Sequence, residues 1–437
     1  MQKIEIKNFG PITELELDIK DFMLFIGPQA SGKSTIAKVI FFFKSMNDDL
    51  VKLVMDCLEQ NNKLTISILA FKKIISQKFL DYFGPSIPLK GMSLSYYYDE
   101  NNWLKITLEE THSYVTPIFS QSLESSIKQI LKDTKQFLDT LKQENKSLFT
   151  SKDLLQIDGT KRFFISRVTE NACEIFKETR ELLFIPAGRS LLAILSDQLQ
   201  YIEPRRLDFL MKTFVNKINL LRPMFSQSIA ELIKNRMVLT QSEIDFSRVR
   251  YAEKIINQIL RGKYKFDRDG EKLYINNTQK YIKLSLASSG QQESLWILLL
   301  LFIAILEQQN VFVVIEEPEA HLFPEAQKEI SALIALLSNM KQSQVIITTH
   351  SPYILASVNN LILAHKIGMK FPEKVTPKIN KHLWIDRNKV YAAMIRSGIV
   401  SEIMDKDFDI IQQEQIDSVS RIINEEFDYL YQYDTEM

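Results

Sequence analysis

Nine residues, GPQASGKST at 27 to 35, restrict the fold more than any other stretch of this chain. They satisfy the pattern G-x-x-x-x-G-K-[ST], and they lie between a continuous apolar run, Phe22 to Ile26, and TIAKVIFFFKSM, an apolar segment of helical length. Strand, glycine turn and helix in that order form a phosphate-binding loop. Gly27 and Gly32 let backbone N–H groups curl around phosphate oxygens, and the helix N-terminus adds positive potential. Lys33 is expected to reach the β and γ phosphates of ATP, and Ser34 to hold Mg2+. Gly27, Pro28, Gln29, Ala30, Ser31, Gly32, Lys33, Ser34 and Thr35 together are the expected cofactor-binding loop.

Such a loop makes a second stretch interpretable. VFVVIEEPEAHLFP, residues 311 to 324, runs five apolar residues into Glu316 and Glu317. Most Glu-Glu pairs are only exposed charges. At the end of a buried strand in a protein with a phosphate loop, Glu316 takes the metal-binding position and Glu317 the position that polarises an attacking water. Aspartate is the commoner residue at the first position. Glu316 is one methylene longer and is expected to reach Mg2+ through a bound water, since that ion retains several waters in most sites.

Two further segments fix the class by their order. LASSGQQE (286 to 293) is a small-residue turn before an apolar helix, and IITTHSPYIL (346 to 355) is a buried strand ending in His350. Phosphate loop, S-x-G-Q turn, strand with Glu-Glu and strand with histidine is the order of the ABC-type ATPases. The chain resembles those of the RecF, structural-maintenance-of-chromosomes (SMC) and OLD (overcoming lysogenization defect) group. The opening IEIKNFGPITELELDI is similar to that group's N-terminal strands, and IEEPEAHLFP with TTHSPYIL is close to its OLD-like branch.

That resemblance implies further roles. Ser288, Ser289, Gly290 and Gln291 would form the signature that contacts the γ-phosphate held by a second subunit, so the site is split between two copies. His350 would be the switch histidine that reads the γ-phosphate. His321, beside Glu319, falls where such proteins face the dimer interface, with a structural histidine as the alternative. Gln29 stands where asparagine is usual, and Arg189 in FIPAGRS is a candidate interface or phosphate arginine.

Strands alternating with helices predict an α/β fold with a mostly parallel sheet covered on both faces: a P-loop NTPase, an ABC-type ATPase head with a largely helical insertion. The expected boundaries are 1–46 and 263–362 for the head, 47–262 for the insertion, and 363–437 for a C-terminal segment packed on the head. In QSLESSIKQILKDTKQFLDTLKQ the apolar positions from Leu123 to Leu141 keep to one helical face. LWILLLLFIAIL (295 to 306) is short of the roughly 20 apolar residues a spanning helix needs, and is expected to be a core helix.

Equal numbers of acidic and basic residues argue against a chain that coats nucleic acid, and two distant cysteines suggest a reducing compartment. The opening residues lack a signal peptide's pattern, so the expected location is cytoplasmic, with no membrane partner. The expected partners are ATP, a second copy of the chain in a homo-oligomer, and a separate effector such as an HNH or Toprim nuclease. The latter follows the resemblance to stand-alone ATPases of bacterial anti-phage systems such as Septu and PARIS. Neither D-x-D is expected to be a nuclease site: Asp267 to Asp269 lies in a hairpin turn, and Asp407 to Asp409 in a helical-looking acidic stretch. The alternatives are a RecF-like repair ATPase acting on nucleic acid, a self-contained nuclease, and a nucleotide-sensing scaffold with little hydrolysis.

Overall fold

A computed structural model describes residues 2–59, 66–84, 91–108, 114–145, 151–194, 208–239, 244–275, 278, 280–405, 407–412 and 418–434. Two sheets organise the chain. The first is antiparallel and five-stranded, built from β1 (Lys3–Phe9), β2 (Ile12–Asp18), β4 (Ser93–Tyr97), β5 (Trp103–Thr107) and β6 (Thr116–Phe119), in the order β2-β1-β4-β5-β6. The second contains β3 (Phe22–Ile26), β7 (Glu181–Ile185), β11 (Val311–Glu316), β12 (Gln344–Thr349), β13 (Val390–Arg396) and β14 (Ile399–Glu402), in the order β14-β13-β3-β12-β11-β7. All its neighbours pair parallel except β14, which closes one edge antiparallel. A small meander, β8 (Gly262–Asp267), β9 (Gly270–Ile275) and β10 (Tyr281–Lys283), stands apart.

Alternation of side chains along the parallel strands divides the interior in two. Leu24, Val313, Ile347 and Ala392 enter one core, together with α9 (Phe246–Leu260), α10 (Ser289–Leu306), α11 (Pro324–Ser338) and α12 (Pro352–Gly368). Phe25, Val314, Ile346 and Ala393 enter the other, with α1 (Lys33–Lys44), α2 (Met46–Glu59), α3 (Ile68–Phe83), α4 (Gln121–Asn145), α5 (Ser151–Phe176) and the antiparallel sheet. A sheet buried on both faces explains why FMLFI, VFVVI and QVIITT lack polar alternation. On α4, Leu123, Ile127, Ile130, Leu131, Leu138 and Leu141 are buried along one face. Among the described helices α10 alone is long and apolar enough to cross a membrane, and 83% of it is buried inside the protein.

The chain ranges expected from the sequence interleave in space. Within 47–262, β7 pairs with β11 in the parallel sheet, and β4 pairs with β1 in the antiparallel one. Within 363–437, β13 lies directly beside β3. Those parts of the chain complete the sheets and do not merely rest on them. Hydrophobic pattern shows that such strands exist, and their partners are set by packing. Asp407 to Asp409 also differs from expectation: it forms the turn between Met404–Asp405 and Ile410–Ile411, where Asp409 lies 3.5 Å from Lys366. Asp267 and Asp269 both bind Lys272 in the β8–β9 turn.

Candidate functional site

The register of the parallel sheet brings the sequence-predicted residues to one edge. Ile26 pairs with Thr349 and with Met394, Glu316 with Thr348, and Ile315 with Ile185. The loop after β3, His350 after β12, Glu316 at the end of β11 and the turn after β7 therefore lie side by side. The crevice outside the carboxyl ends of parallel strands is where open α/β sheets bind ligands.

The loop itself needs its glycines for close approach. A Cβ on Gly27 would lie 2.0 Å from the Ile395 carbonyl oxygen on β13, and one on Gly32, at φ 110°, would lie 2.5 Å from Ile12 Cδ1. Ala30 also sits at positive φ, 56°. Gly32 supplies no side-chain cap to α1, so the first N–H groups of that helix remain for a ligand. Gly27→Ala is expected to push β13 away from β3 and cost about 1–3 kcal/mol, as overpacking does. Urea melting of the ligand-free protein checks this, and an unchanged midpoint would contradict the close approach.

Lys33 folds back on the loop, donating to the carbonyls of Gly27 at 3.0 Å and Pro28 at 2.8 Å. Burial lowers its pKa from the ordinary lysine value, against the opposing pull of Glu317, Glu319 and Glu316. Ser34 is exposed at the mouth of the loop, while Ser31 is buried and its hydroxyl has no partner among the described residues.

Glu316 is 5% exposed. Its Oε2 accepts from the Ala187 N–H at 3.2 Å, and its Oε1 is buried without a partner among the described residues. A buried carboxylate with one idle oxygen beside a lysine loop fits a cation carried in with a triphosphate. Glu316 and Ser34 are the residues that would hold Mg2+. No group of three or more His, Cys, Asp or Glu side chains among the described residues is arranged for a metal. Any ion held here would take its remaining ligands from phosphate and water.

Glu317 turns away from the strand at φ 45°, a left-handed conformation that costs a non-glycine residue about 1–2 kcal/mol. Its N–H donates to the Thr348 carbonyl at 2.8 Å, and its carboxylate lies 3.5 Å from His350 Nε2. The two expected catalytic side chains are therefore neighbours, each part-exposed toward the crevice.

Glu319, beside His321 in sequence, is held within its own chain. Its Oε1 accepts from Thr349 Oγ1 at 2.8 Å and from the His350 N–H at 2.7 Å, so it fixes the backbone that carries the histidine. His321 is exposed at φ 58°. Together with Ser288, Gly290, Gln291 and Arg261 it lines a surface cavity of about 620 Å3. A Cβ on Gly290 would meet the His321 carbonyl at 2.7 Å, which accounts for glycine there.

The Ser288 to Gln291 turn caps α10. The Ser288 hydroxyl accepts from the Gln291 N–H, and the Gln291 side chain accepts from the Ser288 N–H at 3.1 Å, a reciprocal capping box. The Gln291 amide also donates to the Leu260 carbonyl at 2.7 Å, so it is occupied within its own chain. Ser288 and Ser289 remain exposed. Among the described residues the turn makes no hydrogen bond or ion pair with the Lys33 loop, Glu316, Glu317 or His350.

Arg189 is placed where neither expected role is open to it. It is 1% exposed, and its guanidinium donates to the carbonyls of Pro186, Glu316, Glu317 and Glu293. Sequence reasoning also missed its partner Glu293, whose only signal was a lone acid at the head of an apolar helix.

A lysine-bearing glycine loop between a buried parallel strand and a helix, with a buried carboxylate ending the second strand over, defines a P-loop nucleoside triphosphatase. A model of the family described as AAA ATPase domain matches residues 1–355, and the chain belongs to that family. A comparison with curated proteins gives no match. Similar solved structures include an SMC head bound to the C-winged helix domain of ScpA (12% identity, TM-score 0.44, covering 92% of this chain and 96% of that one). The SMC head domain from Thermotoga maritima is another (13%, TM-score 0.35, 92% and 97%). A third is the SMC head domain with an extended coiled coil bound to the C-terminal domain of ScpA, from Pyrococcus furiosus (12%, TM-score 0.40, 97% and 100%). Likenesses this distant carry no functional inference.

Proposed function

We infer that the protein is an ABC-type ATPase whose nucleotide site is completed by a second copy of the chain. Lys33 and the N–H groups opening α1 take up the β and γ phosphates of ATP. Ser34 and Glu316 hold Mg2+, which supplies neutralisation of phosphate charge when bound. Glu317 accepts the proton of the attacking water, and His350, at its side, senses the γ-phosphate. The signature residues Ser288, Ser289 and Gly290 then act on the partner's nucleotide.

The observation that carries this reading is the Glu317–His350 pair at the aligned strand ends beside the Lys33 loop, with the signature turn held elsewhere. A complete set of phosphate-reading groups in two separate places suits a site shared between copies. ATP-driven closure is a two-state device, and its output is control of a separate effector, such as an HNH or Toprim nuclease, in anti-phage defence. The OLD-like wording of IEEPEAHLFP and TTHSPYIL supports that last step.

Ser289→Arg tests the shared site. The position is exposed on the first turn of α10, so the fold and the Lys33 loop stay intact. ATP binding is expected to be unchanged and ATP-dependent dimerisation, followed by light scattering, to be lost. A variant that dimerises with ATP as the unmutated chain does would place the signature outside the interface.

A further inference from the structure

The segment Pro186 to Ser190, between β7 and α6 (Ser190–Ile194), touches both halves of the machinery at once. Toward β11, Arg189 Nη1 donates to the Glu316 carbonyl at 2.7 Å and Nη2 to the Glu317 carbonyl at 2.9 Å. Toward α10, Arg189 Nε donates to the Glu293 carbonyl at 2.9 Å. The Glu293 carboxylate in turn accepts from the N–H groups of Arg189 at 3.0 Å and Ser190 at 2.9 Å. Glu293 is 2% exposed and lies one turn beyond the exposed signature serines.

A buried ion pair is a poor source of stability, because apolar residues of the same volume commonly hold a core as well. Its use here is a fixed geometry: of the four carbonyls that the Arg189 guanidinium holds, two belong to the acids of the site. Glu317 has a backbone strained into positive φ, bracketed by Thr348 on one side and Arg189 on the other. A strained turn persists only where its surroundings over-determine it.

We propose that Arg189 and Glu293 are a positioning pair that ties the Glu316–Glu317 turn to the signature end of α10. This rests on the shared-site reading above: each copy offers Glu317 to its own nucleotide and Ser288 to Gly290 to its partner's. The pair joins those two half-sites within one copy. Engagement of the signature with the partner's nucleotide then sets the Glu317 turn of the same copy, and the two nucleotides report on each other.

The test uses the full chain with Glu293→Gln and, separately, Arg189→Lys. The first keeps volume and an acceptor oxygen. The second keeps the charge but cannot reach Glu316, Glu317, Pro186 and Glu293 together. Both are measured for melting temperature, ATP binding, ATP-driven dimerisation and turnover. Folded protein with unchanged ATP affinity is expected, with turnover reduced about tenfold to a hundredfold, as misplacement of a reacting group by an ångström does. Dimerisation is expected to weaken in the same variants.

Turnover and dimerisation equal to those of the unmutated chain would overturn the proposal. So would activity lost only in step with folded protein or with ATP binding, which would leave the pair as a core ion pair and no more. Glu317→Gln is run beside them as the control for the underlying reading. If it hydrolyses ATP at the unmutated rate, the assignment of Glu317 fails, and that failure is separate from the result for the pair.

Discussion

Lys33→Ala is expected to abolish ATP binding while leaving the fold intact. Among the described residues the ammonium is held by two carbonyls of its own turn, Gly27 and Pro28, and by no carboxylate. Those are partners it can give up when a triphosphate enters. Burial already disfavours its charge, so the folded protein gains little from keeping an ammonium there. A hydrogen bond to a charged group contributes about 1.5–3 kcal/mol. Two such bonds to phosphate correspond to an affinity loss of about 10²–10⁴-fold. Titration with a fluorescent ATP analogue, beside a melting curve, separates binding from folding. Unmutated affinity would remove the loop from the nucleotide site.

Glu317→Gln is expected to separate binding from chemistry in the other direction. The backbone of Glu317 carries the structural duties at this turn, through its N–H to Thr348 and its carbonyl to Arg189. Among the described residues the side chain's ion pair is with His350, at 3.5 Å. An amide can keep that contact but cannot accept a proton from water. General-base catalysis is worth about 10²–10⁴-fold, so turnover is expected to fall by that factor while ATP binding persists. The ATP-bound dimer should then accumulate, visible as a doubled mass that decays only when nucleotide is removed. Hydrolysis at the unmutated rate would sink the assignment and leave Glu317 as a strained turn residue.

The part of the site legible in the sequence is the part that lies within single short segments. GPQASGKST announced its own geometry, because a glycine loop between strand and helix leaves the chain few paths. The continuous apolar runs before Gly27 and Glu316, and VIITT before His350, likewise predicted buried strands, and the sheet has all three. What the sequence left hidden depends on contacts between distant segments. VYAAMIR at 390–396 is a modest apolar run that only packing places beside β3, and ELLFI at 181–185 gains its role from pairing with β11.

The same holds for side chains. The part Glu319 plays could not be read from the sequence, because its partners Thr349 and His350 come from the end of the next strand. Arg189 was a candidate interface or phosphate arginine, and its burial against Glu293, more than a hundred residues away, could not be read from FIPAGRS. Charged residues resist burial unless paired, and a pair made across the fold is invisible in a linear pattern.

The place of β13 has a consequence for how the protein comes into being. The strand that carries the Lys33 loop is synthesised well before its neighbour on one side, which arrives only with residues 390–396. Until then β3 has an unpaired edge, and the carbonyl of Ile395 that presses on Gly27 is missing. Sheets that wait for distant partners fold slowly, and open edges invite pairing with other chains. A chain cut where the family match stops, after residue 355, would keep every motif yet leave that edge bare for good. The ribosome must therefore have made residues 390–396 before the phosphate loop can become a finished pocket.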